Sequence, residues 1–169
     1  TIGGAIATGL SGPARPYAGA ARDLVLGTRI LTGKGQVLRF GGEVMKNVAG
    51  YDVSRLMTGA MGTLGVLLDV SVKVMPRPAA QRTLVQESSA ARAIEQMNAW
   101  AGKPLPITAT CFDGERLHVR LAGTETAVTR FASQIGGEPV DTAQDIWDRD
   151  LREQQHSFFA GDMPLWRLS

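Results

Sequence analysis

Few side chains in this sequence have the chemistry of a catalyst. Its histidines are His118 and His156, and its one cysteine is Cys111. Two histidines in separate segments, without companion cysteine or carboxylate spacing, do not make a zinc site, so no metal site is expected. Cys111 falls in a strand-like run, where a thiol is ordinarily buried and inert. His118 alternates into the next strand-like run and is read as structural. His156, beside Phe158-Phe159, is left as a weak candidate for a catalytic base. No Ser-His-Asp arrangement, phosphate-loop lysine or paired-carboxylate spacing stands out. A Rossmann-type G-x-G-x-x-G is absent, so NAD is not supported.

What the sequence offers instead is backbone. Residues 40–65 gather Gly41, Gly42, Gly50, Gly59, Gly62 and Gly65. Glycine costs conformational entropy, so this density implies main chain in special angles or pressed against a ligand. A dinucleotide cofactor and a tightly turned connection both satisfy that requirement. The same two options apply to Thr1-Ile2-Gly3-Gly4, where amides at a glycine turn can meet phosphate oxygens. The Ser11 hydroxyl and Gly12 amide are candidates to donate to the same ligand, with Asp23 fixing Arg22 or a backbone turn; a surface salt bridge between helix and loop explains Arg22 and Asp23 equally well. Lys46, Asn47, Tyr51 and Asp52 surround the central glycine and are read chiefly as supports of that loop.

The elements that must position these residues fall into two halves. Pro76-Arg77-Pro78 separates them, since two prolines around one residue stop a strand and stiffen the connection. Before it, residues 24–31 and 36–40 are strand-like around Thr32-Gly33-Lys34-Gly35, a loop of hairpin length. Asp52 caps a short helix carrying Val53, Leu56 and Met57, and residues 64–75 alternate as a half-buried strand. After it come a strand at 83–87, a helix capped by Ser88 with Ala91, Ile94, Met97 and Trp100, and a hairpin of 107–112 with 116–121 about Asp113-Gly114. A second helix follows at 124–135, then a closing strand near Val140. This order is that of the ferredoxin-like arrangement. A third helix is expected over 143–155, starting at Asp141 or Thr142, with Ile146, Trp147 and Leu151 on one side.

The wording of the glycine segments carries a resemblance. Gly42 through Asp52, then Arg55-Leu56, then Gly62-Thr63-Leu64-Gly65-Val66, resembles the second FAD-binding lobe of the PCMH-type (vanillyl-alcohol-oxidase-like) flavoproteins, and within them the flavin subunits of glycolate-oxidase type. Thr1-Ile2-Gly3-Gly4, Ser11-Gly12-Pro13 and Gly19 through Asp23 occur in the same order there. Residues 147–153 and 165–168 extend the likeness to the far end. The resemblance implies an α+β chain: residues 1–78 as the second lobe of an FAD-binding domain and 79–169 as a ferredoxin-like cap. It implies FAD contacts from Thr1, Gly3, Gly4, Ser11, Gly12, Arg22, Asp23, Gly62, Gly65 and Val66. Relatives offer an acidic residue before the Gly62 position, where this chain has Met61, so a backbone contact survives there and a side-chain contact does not.

The implied activity is oxidation of a small 2-hydroxy acid, glycolate first, to the 2-oxo acid. D-lactate or another 2-hydroxy acid is the alternative substrate, and a non-catalytic assembly module is the alternative role. Arg120, Arg149 and Arg152 are candidates for a substrate-carboxylate contact, although each reads first as a surface charge. The implied partners are a homologous flavin subunit and an iron–sulfur subunit, because one cysteine cannot hold a cluster. The chain opens inside the resembled motif and without methionine, which implies a fragment lacking the preceding FAD lobe, with weak or absent FAD binding by itself.

Bulk properties agree with a globular chain. Hydrophobic residues make up 44%, and no apolar run approaches the roughly 20 residues that span a bilayer. No basic-then-apolar leader is present. A cytoplasmic location is expected, with membrane association only through partner subunits. Residues 1–80 carry a net charge of +5 and residues 81–169 a net −3. The basic half suits an anionic ligand such as a pyrophosphate. Its cations are scattered and lack interleaved aromatics, which argues against nucleic acid.

Overall fold

The computed structural model describes residues 1–42, 50–140, 145–162 and 164–165. The expectations for Lys46, Asn47, a helix start at Asp141 or Thr142, and Trp166 lie outside the described residues. The chain divides into two compact units, Thr1–Arg77 and Pro78–Ser169.

The first unit is built on a three-stranded antiparallel sheet of β1 (Val25–Leu31), β2 (Val37–Gly41) and β3 (Val66–Val72), in the order β2-β1-β3. The hairpin between β1 and β2 closes with the Thr32 amide on the Gln36 carbonyl, and Gly35 supplies the left-handed turn position at φ 74°. Three short helices precede the sheet: α1 (Ile2–Thr8), α2 (Arg15–Ala18) and α3 (Ala21–Leu24). A fourth, α4 (Val53–Leu56), is capped by Asp52, whose Oδ1 accepts from the Arg55 amide at 3.0 Å. Ser54 on α4 is buried and donates to the Phe40 carbonyl at 2.8 Å, which ties α4 to the edge of the sheet. Gly27 of β1 must be glycine for a local reason. A Cβ there would stand 2.5 Å from the Gly42 backbone.

The second unit alternates strand and helix: β4 (Ala80–Glu87), α5 (Ala90–Ala101), β5 (Ile107–Phe112), β6 (Arg116–Gly123), α6 (Glu125–Ile135) and β7 (Glu138–Pro139). Its antiparallel sheet runs β5-β6-β4-β7, the strand order of a ferredoxin-like unit. Period-two alternation sorts β6 into two faces. Leu117, Val119 and Leu121 are fully buried, and α6 packs against β6 and β4. His118 and Arg120 take the opposite face.

Several boundaries differ from the sequence expectations, for local reasons. Ser89, not Ser88, caps α5, because its side chain is the one that accepts from the Arg92 amide. The buried position of α5 is Ala93, while Ala91 and Ile94 are exposed, so the inward stripe is rotated from the expected one. The closing strand is two residues long, Glu138–Pro139, and the Val140 amide carries its pairing one residue on to the Thr83 carbonyl at 3.1 Å. The described part of the expected third helix is a π-helical segment, Asp145–Arg152, with Trp147 buried. No helix among the described residues is long and apolar enough to cross a membrane.

Candidate functional site

The glycines of the first unit shape a pocket. Thr1 caps α1 by accepting the Gly4 amide on Oγ1 at 3.1 Å, and Gly9 ends the helix in the left-handed region at φ 63°. The carbonyls that a helix end leaves unpaired are taken up by the loop after α4. The Gly59 amide reaches the Ile6 carbonyl at 3.0 Å, and the Met61 amide reaches Ala7 at 2.9 Å. Those two bonds bring Gly62 beside α1. Gly65 then turns the chain into β3, and any Cβ there would meet the Leu31 carbonyl oxygen at 2.9 Å.

Between α1, this loop and the start of β3 lies a cavity of about 350 Å³, lined by Thr1, Gly3, Gly4, Ala7, Met57, Gly62, Gly65, Val66 and Leu67. No lining side chain titrates, so what the pocket offers is shape and main chain. Gly3 and Gly62 have open space where a Cβ would stand. A side chain at either position would project into space that a flat or extended ligand could use. The Gly4 amide is already given to Thr1, so Gly4 contributes absence of bulk, and an N–H from this turn must come from a neighbour. These residues fit one wall of a nucleotide-type cofactor site: apolar floor, glycine rim, no competing charge.

Six of the ten residues expected to contact FAD line this one pocket: Thr1, Gly3, Gly4, Gly62, Gly65 and Val66. The other four do not line it. Ser11 accepts the Ala21 amide on Oγ at 2.9 Å, and Asp23 accepts the Ala20 amide on Oδ2 at 2.9 Å, so both brace the start of α3. Gly12 and Arg22 are exposed. Tyr51 is 98% exposed, and Asp52 is spent on its helix. Ala7, Met57 and Leu67 were not anticipated as lining. Met57 could have been found from its place at the inward end of α4, while Ala7 and Leu67 have no signal beyond being apolar.

The second unit gathers the titratable groups. His118 is buried and its Nε2 lies 2.8 Å from Asp113 Oδ2. Asp113 Oδ1 also accepts the amides of Glu115 and Arg116, so one carboxylate organises the whole β5–β6 turn. Burial alone would raise the Asp113 carboxyl, but the His118 bond and the two amides outweigh it and lower it to about 2. Burial, and then the Asp113 charge, push the Cys111 thiol up to about 11, which makes it a poor nucleophile. His156 starts the short helical turn Ser157–Phe159 by accepting the Phe158 amide on Nδ1 at 3.2 Å. That is a capping role. No cluster of metal-ligating side chains occurs among the described residues.

Comparison with known proteins finds oxidoreductase subunits of similar sequence. The chain is 52% identical over 169 residues to glycolate oxidase subunit GlcE of Escherichia coli (strain K12), covering 100% of this chain and 47% of that protein. Over its whole length the chain is similar to GlcE. The similarity to glycolate oxidase subunit GlcD of Bacillus subtilis (strain 168) is 36% over 121 residues, covering 70% of this chain and 26% of that one. A D-lactate dehydrogenase of Anaerostipes hadrus is 33% identical over 85 residues, covering 50% of this chain and 18% of that protein. The chain therefore spans about half the length of GlcE and less of the others. Among solved structures, alkyldihydroxyacetonephosphate synthase shares the fold, with a TM-score of 0.59 at 17% identity over 85% of this chain and 36% of that one. No family model matches the chain. The mixed helix and antiparallel-sheet architecture is α+β, the fold class expected from the sequence.

Proposed function

We propose that this GlcE relative forms one wall of the FAD site in a flavin-dependent oxidoreductase that converts a small 2-hydroxy acid, glycolate first, to the 2-oxo acid. The observation that carries the reading is the pocket. Six residues expected from the flavoprotein motifs, drawn from both ends of the first unit, line one cavity with no titratable side chain in its lining. The flavin, when bound, supplies the hydride acceptor, and the protein supplies binding and orientation. In this chain that work falls to the Gly3 and Gly62 rim and to the Ala7, Met57 and Leu67 floor. A pocket built this way holds a cofactor and leaves the reacting proton to other groups, since the lining has none to give.

The partners in this reading are a homologous flavin subunit and an iron–sulfur subunit, and Cys111 alone cannot ligate a cluster. D-lactate or another 2-hydroxy acid is the runner-up substrate. An assembly role is favoured separately by the far end of the chain, where Phe158 is 68% exposed and Leu165 56% exposed. Exposed aromatic and aliphatic side chains of this kind suit a subunit contact.

The test is an FAD titration, followed by flavin fluorescence, of the 169-residue chain beside a version extended at its N-terminus. Saturable quenching by the extended chain, with weak or no quenching by the shorter one, is expected. Loss of that binding in Gly62→Leu of the extended chain assigns it to this pocket. Absence of binding by both chains would sink the flavin reading in favour of assembly.

A further inference from the structure

The second unit holds an arginine that its own described residues do not neutralise. Arg149 pairs with Asp150 at 3.0 Å, and Arg152 pairs with Asp148 at 3.2 Å and Glu153 at 3.0 Å, all at the surface. Arg120 is different. It sits mid-strand on β6, half-buried, with no carboxylate in ion-pair reach among the described residues. Its Nε donates to Thr108 Oγ1 at 3.1 Å, and its guanidinium carbon stands 5.1 Å from the centre of the Trp147 ring. Trp147 is itself only 7% exposed, and its Nε1 is pinned to Thr83 Oγ1 at 2.9 Å. Thr83 faces Arg120 across the β4–β6 ladder, so ring, hydroxyls and guanidinium form one braced unit.

We propose that Arg120, braced by Trp147 and Thr108, is a receptor for the carboxylate of a small acid anion. The bracing fixes the plane and one face of the guanidinium. The remaining Nη edge is held only by a 3.5 Å contact from Nη2 to the Thr108 carbonyl. That is the edge a carboxylate takes in a two-pronged pair. Withdrawing a cation from water without a counter-charge is costly, and an arriving carboxylate removes that cost. Burial draws the Arg120 guanidinium below its ordinary pKa, while the negative charge of Asp148 pulls the other way. Asp148 makes no ion pair with Arg120, and its Oδ1 accepts from Arg152 Nη1 at 3.2 Å. The site rests on the proposed function for its ligand class, the small 2-hydroxy acid, and deepens it by naming the residue that takes the carboxylate, without needing the flavin.

The test uses the ¹⁵N-labelled chain without flavin and follows the Trp147 indole N–H signal, assigned by its loss in Trp147→Phe. Sodium glycolate and sodium acetate are expected to shift it saturably. Glycolamide, which has the same shape without the charge, and sodium chloride at equal ionic strength are expected not to saturate. Arg120→Lys keeps the charge but loses the fork, and should weaken binding about tenfold. Arg120→Gln should abolish it, and Asp148→Asn, by removing the competing negative charge, should tighten it. Where Arg120→Gln fails to fold, Thr108→Val, which frees the guanidinium plane, takes its place with an expected weakening. A response shared with glycolamide or chloride, or unchanged in Arg120→Lys, overturns the proposal. Because no flavin is present, a failure here leaves the FAD titration untouched, and the reverse also holds.

Discussion

The two units solve opposite problems. In the first, the buried apolar side chains among the described residues are Ile6, Val25, Ile30 and Met57, while Val66, Leu68, Val72, Val74 and Met75 stand outward along and beyond β3. In the second, Leu84, Ala93, Ile107, Leu117, Val119, Leu121, Val128 and Trp147 are all buried. The first unit spends its sequence on glycines that bend main chain around a pocket, and main chain bent in this way leaves few positions for a core. The second spends it on alternating strands and two covering helices. Binding surface and packing surface thus compete for the same residues, and each unit shows one outcome of that competition.

The largest expected effect tests this directly. Leu117→Ala empties a fully buried site and should cost the second unit about 2–5 kcal/mol. Leu68→Ala, at a residue 43% exposed, should change the first by about 0.5 kcal/mol or less. The chain itself supplies the probes: all three tryptophans lie after the boundary and both tyrosines before it. Urea titrations read by tryptophan emission and by tyrosine-sensitive circular dichroism therefore report the units separately. Equal losses in the two variants would erase the contrast.

A smaller effect comes from charge. The Asp113 carboxyl titrates at about 2 in the fold, against 3.8 for an ordinary aspartate. A depressed folded value gives stability that is present above pH 3.8 and disappears as pH falls toward 2. The second unit should therefore lose stability steeply over that window. Asp113→Asn should flatten the profile there, while lowering stability at neutral pH through the lost charge-assisted bond to His118. The first unit has no such buried pair among its described residues, so its acid profile should not respond to this substitution. A profile unchanged by Asp113→Asn would mean that the turn is not held by this carboxylate.

How much of this was legible in the sequence differs between the units for the same physical reason. Strands at Ile107–Phe112 and Arg116–Gly123 follow from alternation and from Asp113-Gly114 between them, and the Thr124 cap marks the start of α6. Alternation and caps are local signals, so they survive without a partner. The rotation of α5 toward Ala93 and the π-helical turn that buries Trp147 depend on what the helix packs against, which no local pattern records. In the first unit the glycines announced special backbone but not its cause. Gly27 and Gly41 serve close strand crossing, whereas Gly3 and Gly62 leave open space. Identical residues in one motif therefore do different jobs, and only the three-dimensional neighbours sort them. Arg120 is the converse case. Its sequence neighbours are ordinary, and its distinction arises from Thr108, Thr83 and Trp147, which come from three other segments.

The smallest effect is the one that best isolates the backbone of the first unit. Met61 sits at φ 54°, in the left-handed region, with its side chain 68% exposed. An L-residue held there costs about 1–2 kcal/mol relative to ordinary angles. The loop accepts this because the Met61 amide must reach the Ala7 carbonyl, the bond that brings Gly62 beside α1. Met61→Gly removes the strain but gives the unfolded chain more freedom, which returns about 0.5–1 kcal/mol of the gain. A net stabilisation of about 0.5 kcal/mol is expected. Met61→Ala keeps the strained angle and gives up an exposed side chain, so it should be close to neutral. The difference between glycine and alanine at this position is therefore a measure of main-chain strain with side-chain packing held out of it. If both variants match the parent in urea titrations read by circular dichroism, the loop carries no strain. The contrast with the second unit would then rest on burial alone.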